Sequence, residues 1–190
     1  MADSTAIPVG SQRMPSIPPQ GWTDEVRDLF AVYEGEEGRK NGSKYNFTHW
    51  FANHPQLATN WMRYNHALTR GVLDPFLREI VIMRVAWRYR SDYEWNLHVQ
   101  IAAPLGIGPE HHAAIRQGPD APLWNDLQRL CLRAADALCV DHDIDDDLWA
   151  ALAARLTSRE LMELMFLAGS YTLLAWVLKT VRMPLEDLMG

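Results

Sequence analysis

Apolar residues recur at helical spacing along most of the chain. Residues 1–21 are the exception, being rich in Pro, Ser and Gly. They read as an extended arm, either lying on a partner subunit or disordered. Thr23 followed by Asp24 and Glu25 has the composition of a helix N-terminus. Val26, Leu29, Phe30 and Tyr33 form that helix's apolar face, and the spacing predicts its end before the polar stretch 35–44. A short helix is expected around Phe47 to Ala52. Pro55 opens the next one, where Leu57, Trp61, Tyr64 and Leu68 follow at spacings of four, three and four, and Gly71 closes it.

Asp74–Pro75 is a strong start signal, an N-cap residue followed by proline at the first helical position. The helix it opens, to about Arg90, is apolar nearly all round (Ile80, Val81, Ile82, Met83, Val85, Ala86, Trp87), so it is expected to be buried. Ser91 and Glu94 have the S-x-x-E spacing of a capping box and open a helix to about Leu105. Gly108–Pro109 starts a short helix carrying His111 and His112, adjacent residues that point to different sides and read as surface positions. Leu123 to Val140 is amphipathic, with Leu127, Leu130, Ala134 and Leu138 on its apolar face. Asp145 or Asp146 caps a helix through Leu148 to Leu156. Thr157 with Glu160 forms a second capping box, opening an apolar C-terminal helix to about Thr180, with Pro184 beyond it. There is no strand alternation, internal repeat or linker. The pattern predicts an all-α fold, with residues 22–190 as a single helical domain after the arm.

Composition narrows the function classes. Of 190 residues, 48% are apolar and 22% charged, which suits a folded domain with a sizeable core. The formal charge is −6, and no Lys/Arg cluster of the size a phosphate backbone demands is present, so no nucleic-acid partner is expected. Cys131 and Cys139 lie eight apart in one predicted helix. At about 1.5 Å per residue that separation is too long for a disulfide, and neither belongs to a CxxC pair. The N-terminus lacks the cationic start and apolar core of a secretory signal. The longest uncharged apolar run, Leu164 to Leu178, is shorter than the roughly 20 residues of a membrane span. It is read as a central buried helix, and the protein as soluble, cytoplasmic and without a membrane partner.

Candidate chemistry concentrates in 74–105. Glu94 and His98 are four apart and share a helix face, while Glu79 stands on the preceding, largely apolar helix. A buried glutamate is costly unless it is paired or its pKa rises, and a histidine is the obvious partner. A carboxylate that orients and polarises an imidazole is what general acid–base chemistry needs. Plainer readings stand beside this one. Glu94 could serve only as a helix cap, Glu79 could pair with Arg84 or Arg88, and His98 could be a satisfied core histidine. A metal site from these three residues would lack a further ligand at characteristic spacing, so no metal is expected. Eight tryptophans in the chain suggest large core residues or an aromatic-lined pocket built from Trp50, Trp61, Trp87 or Trp95. Tyr93 and His66 are further pocket candidates. There is no GxSxG, P-loop or Gly-rich dinucleotide fingerprint.

The run with HPQL, LREIVIMRVAWR and YEWNLHVQIA, together with the C-terminal ELMFLAGSYTLLAWVLKT, resembles the carboxymuconolactone decarboxylase superfamily, which includes the AhpD-type alkylhydroperoxidases. The resemblance implies an AhpD-like helical bundle and a homo-oligomer (dimer, trimer or hexamer) with its pocket near a subunit interface. In the AhpD branch a glutamate on one helix precedes a CxxC motif and a histidine four residues after the second cysteine. On this sequence the glutamate falls on Glu79, the histidine on His98, and the two cysteine positions on Ser91 and Glu94. Both thiols are missing, so neither position can form a redox disulfide. The glutamate and histidine survive as in the decarboxylase branch, which acts without a cofactor on a small unsaturated lactone acid. The sequence therefore suggests a cofactor-independent acid–base enzyme acting on a small-molecule carboxylic acid, with His98, Glu79 and Glu94 as catalytic candidates and Tyr93, Trp95, His66 and Trp61 as substrate contacts. Its rivals are an AhpD-like peroxidase and a non-catalytic binding or assembly protein.

Overall fold

The computed structural model describes residues 11–185. Its helices are α1 (Asp24–Asn41), α2 (Asn46–Phe51), α3 (Pro55–Thr69), α4 (Pro75–Tyr89), α5 (Asp92–Ala102), α6 (Pro109–Gln117), α7 (Asp126–Val140), α8 (Asp146–Ala153) and α9 (Ser158–Val181). Among the described residues there is no strand. The fold is the expected all-α class.

Most helix starts form as the sequence signals them. Thr23 Oγ1 accepts from the Val26 N–H, Asp74 Oδ1 from the Phe76 and Leu77 N–H groups, and Asp145 Oδ1 from the Leu148 N–H. The Thr157–Glu160 capping box closes in both directions. Helix α1 breaks at Gly35 (φ 59°, ψ −143°), where its end is expected, and a second helical stretch follows to Asn41 instead of a loop. The following turn folds back so closely that a Cβ on Gly38 would lie 2.4 Å from the Phe30 carbonyl oxygen.

The chain forms two compact units. One comprises the described residues up to Tyr64 and those from Val177 on; the other spans Asn65 to Trp176. The division falls inside α3 and α9, which is why no linker marks it in the sequence. The first unit has its own core of Val26, Leu29, Phe30, Ala52, Ala58 and Met62. Of the expected arm, residues 1–10 lie outside the described residues. The remainder is tied to its own chain, with the Arg13 N–H donating to the Val181 carbonyl at 2.7 Å and Asn53 Nδ2 donating to the Pro15 carbonyl.

In the second unit α4 is the central element, packed against α5, α6 and α7. Residues Glu79 to Ala86 are all buried, as the all-round apolar pattern predicts. Trp87 departs from that pattern at 43% exposed, since it stands at the open end of the helix beside a groove. On α7 the buried strip is Cys131, Leu132, Ala134 and Ala135, while Leu127, Leu130 and Leu138 are only half-buried. Contact with α4 draws the Cys131–Ala135 edge of the face inward.

Helix α9 forms over nearly the expected span but corrects the expectation of a central buried helix. It has 24 residues and is long and apolar enough to cross a membrane by length and composition, and half of its most apolar window is buried within the fold. Met162, Phe166, Leu173 and Trp176 form an exposed stripe along it.

Candidate active site

Helices α4 and α5 meet at the turn through Arg90 and Ser91. Arg90 caps α4 in the left-handed conformation (φ 53°), which reverses the chain so that α5 packs back along α4. This brings Glu79 and His98 together. His98 Nδ1 and Glu79 Oε2 are 2.7 Å apart, and both side chains are buried. The other carboxylate oxygen of Glu79 accepts from Arg78 Nε at 3.2 Å. Burial alone would raise the Glu79 pKa, but the hydrogen bond and charge of His98 and the Arg78 guanidinium outweigh it and hold the carboxyl below its ordinary value. An ionised Glu79 accepts the Nδ1–H of His98, which leaves Nε2 as the ring atom able to carry or release a proton. Tyr171 of α9 stands edge-on to the imidazole, with ring centroids 5.1 Å apart.

Glu94 behaves in the opposite way. The capping box expected from Ser91 and Glu94 does not form. Ser91 occupies the N-cap position with no side-chain cap bond, and the Ser91 N–H goes to the Ala86 carbonyl instead. The Glu94 carboxyl turns inward and is 1% exposed, and neither of its oxygens nor Ser91 Oγ has a hydrogen-bond partner of proper geometry. Burial pushes its pKa up to about 8, with the nearby Ser91 hydroxyl offsetting only part of the rise. Near neutral pH, Glu94 is therefore a protonated acid one helical turn from His98.

The alternative partners for Glu79 are engaged elsewhere. Arg84 makes a two-pronged ion pair with Asp136 (2.7 and 2.8 Å) and also donates to the Ile115 carbonyl. Arg88 approaches the same aspartate at 3.6 Å.

Of the proposed substrate contacts, Tyr93 is buried on α5 and Trp95 is half-buried. Trp95 lines an open groove of about 720 Å³ together with Trp87, Ser91, Asp92 and Arg116. His66 is half-buried in the last turn of α3, its carbonyl taking the Thr69 hydroxyl. Trp61 packs on the core of the first unit, its ring 5.2 Å from Phe51. A second groove of about 520 Å³, between α7 and α8, is lined by Asp136, Asp141, Asp145 and Asp147 and contains none of the proposed site residues. Sequence reasoning missed Arg78, Tyr171 and Arg116. Arg78 is adjacent to Glu79, a spacing that ordinarily separates side chains on a helix, and only its long stem lets it fold onto the carboxylate. Tyr171 and Arg116 are distant in the chain and carry no local signal.

Residues 55–137 match the model of the carboxymuconolactone decarboxylase family. Among solved structures, the chain is similar to an uncharacterised peroxidase-related protein from Ralstonia eutropha JMP134, described as an alkylhydroperoxidase AhpD core. The identity is 19% and the TM-score 0.78, covering 96% of this chain and 95% of that one. It is also similar to an uncharacterised peroxidase-related protein from Silicibacter sp. TM1040, at 16% identity and TM-score 0.74, covering 92% and 93%. At these identities the likeness is one of fold. No curated protein matches the chain in sequence. By the resemblance drawn from the sequence, the AhpD-branch cysteine positions fall on Ser91 and Glu94. The two thiols the chain does have are both on α7. Burial pushes the Cys131 thiol up to about 12, and burial also raises that of Cys139.

Proposed function

We propose that the protein is a cofactor-independent acid–base enzyme, a decarboxylase or related lyase or isomerase, acting on a small lactone or aromatic-derived carboxylic acid. The observation that carries this reading is the buried 2.7 Å contact of His98 with Glu79 one turn from a protonated, buried Glu94.

In a decarboxylation, the bond between the carboxylate and the adjacent carbon breaks, and its electron pair stays on the substrate as an enolate or dienolate. CO₂ leaves, and the carbanion equivalent takes a proton. His98, held by Glu79 through Nδ1, supplies that proton from Nε2. The neutral Glu94 carboxyl donates a hydrogen bond to the developing oxyanion, a role closed to an ionised carboxylate. Solvent returns the proton to His98 after product leaves. A panel of lactone acids and β-keto acids tests the reading. Turnover by wild type that falls by a factor of about 10² or more in His98→Ala supports it, whereas equal rates remove His98 from the mechanism.

The descriptions of both structural neighbours favour one rival, thiol-dependent reduction of an organic hydroperoxide. The pKa of Cys131 near 12 argues against it, because a thiol that stays protonated is a poor nucleophile. Hydroperoxide reduction that disappears in Cys131→Ser or Cys139→Ser would favour the rival. A ligand that binds without turnover would favour a non-catalytic binding protein.

A further inference from the structure

The groove at the α4–α5 turn combines three features that the acid–base pair does not use. The guanidinium of Arg116 lies over two indole rings at once, 4.7 Å from the Trp95 centroid and 5.5 Å from that of Trp87. The two rings stand 5.6 Å apart. No carboxylate lies within ion-pair distance of the Arg116 side chain among the described residues, although the fold pairs Arg84 and Arg88 with Asp136. Arg88 and Arg90 also line the groove, against the single acid Asp92. A chain of formal charge −6 thus presents a locally cationic concavity. At its wall stands Ser91, 1% exposed, with the buried Glu94 carboxyl as the neighbour of its hydroxyl.

We infer that this groove binds a planar, conjugated carboxylate, with Arg116 taking the carboxylate and the faces of Trp87 and Trp95 holding the unsaturated body. The guanidinium is a planar fork whose geometry matches a carboxylate with two parallel hydrogen bonds. It keeps its charge while resting on the indoles, because a cation over a π-face is itself stabilised. A flat conjugated acid satisfies both parts of the site. A saturated acid would use only the arginine, and a neutral aromatic only the rings. His98, Glu79 and Glu94 do not line this groove, so its place in a reaction rests on the proposed function, but binding itself does not require turnover.

The test uses trans-cinnamate as probe, with cinnamyl alcohol and cyclohexanecarboxylate as controls lacking the charge and the conjugation. Indole N–H signals are followed by NMR on the full chain, with those of Trp87 and Trp95 identified from Trp87→Phe and Trp95→Phe. The expected result is saturable movement of those two signals by cinnamate, at least about tenfold weaker binding of either control, and a loss of about tenfold or more in Arg116→Gln. Arg116 is exposed, so its replacement leaves the core intact. No movement of the two signals at millimolar cinnamate, or unchanged affinity in Arg116→Gln, overturns the inference. Failure of the two proposals is distinguishable. Cinnamate binding through Arg116 with no turnover of any acid supports the groove and sinks the reaction. Turnover of a lactone acid at full kcat/KM by Arg116→Gln sinks the groove and leaves the reaction standing.

Discussion

Glu94 and His98 sit one turn apart on α5, yet they meet opposite electrostatic fates. His98 is locked to a carboxylate at 2.7 Å, whereas burial holds the Glu94 carboxyl in its neutral form, with only the Ser91 hydroxyl opposing it. One face of a single helix therefore offers an imidazole paired with an acid and a carboxyl whose neutral form is stabilised.

The raised pKa of Glu94 has a definite sign in stability. A carboxyl whose folded pKa exceeds its unfolded value holds its proton more tightly when folded. Its contribution is fully present below about 4.5 and is lost as pH climbs to about 8. At about 1.4 kcal/mol per unit the loss across that window is roughly 5 kcal/mol. Glu94→Gln keeps the shape and removes the titration. Its melting temperature is expected to change less than that of wild type between pH 5 and 8.5, so that the variant becomes the more stable protein at the alkaline end. Parallel melting curves across the range would show that Glu94 is not buried as an acid. Activity that uses the protonated carboxyl should fall above about pH 8 in wild type.

Glu79 carries the reverse sign. Its folded pKa is lowered, so its contribution is present above about 4.5 and disappears as pH falls through the folded value. Glu79→Gln should be less stable than wild type at neutral pH and should lose less further stability in acid. Chemical denaturation at pH 7 and pH 3 measures both. If His98 acts as acid and base, the same variant should also lower kcat by a factor of about 10² with little change in KM, since Glu79 orients the imidazole. A change confined to KM would place Glu79 in binding.

Arg84 joins three helices by pairing with Asp136 on α7 and donating to the end of α6 through the Ile115 carbonyl. Gly118 makes room for it, since a Cβ there would lie 3.1 Å from Arg84 Nη2. Arg84→Met leaves Asp136 without its two-pronged partner and should cost about 3–5 kcal/mol of unfolding free energy, while Arg84→Met with Asp136→Leu should recover a large part of it. Urea denaturation of the three proteins decides. A double variant no better than the single one would mean that the carbonyl bonds of Arg84 matter more than its ion pair.

The thiols offer a chemical check. Cys131 is fully buried with its pKa near 12, so it should resist a thiol reagent in the native protein and react only on unfolding. Cys139 is half-buried and its pKa is also raised, so it should react slowly at neutral pH. Rapid labelling of either in native buffer would contradict their placement on α7.

What the sequence determined by itself is local. Caps at Thr23, Asp74, Asp145 and Thr157 and the apolar spacing placed most helices to within a few residues, because helix starts depend on side chains bonding to backbone groups two or three residues away. The apolar surroundings of Glu79 announced that it needed a partner, and His98 was legible as that partner. Tertiary structure alone decided the rest. Ser91 and Glu94 have the spacing of a capping box, yet α5 packs on α4 so that the carboxyl is drawn into the core, and a local motif cannot show which way its end faces. The all-round apolar run of α9 concealed that one stripe stays exposed, since a pattern without a polar face gives no orientation. The division into two compact units runs inside continuous helices and leaves no mark in composition. The Arg116–Trp87–Trp95 groove joins residues from three helices whose meeting depends on the reversal at Arg90. A long-range contact of that kind is set by how helices pack, which residue spacing does not encode.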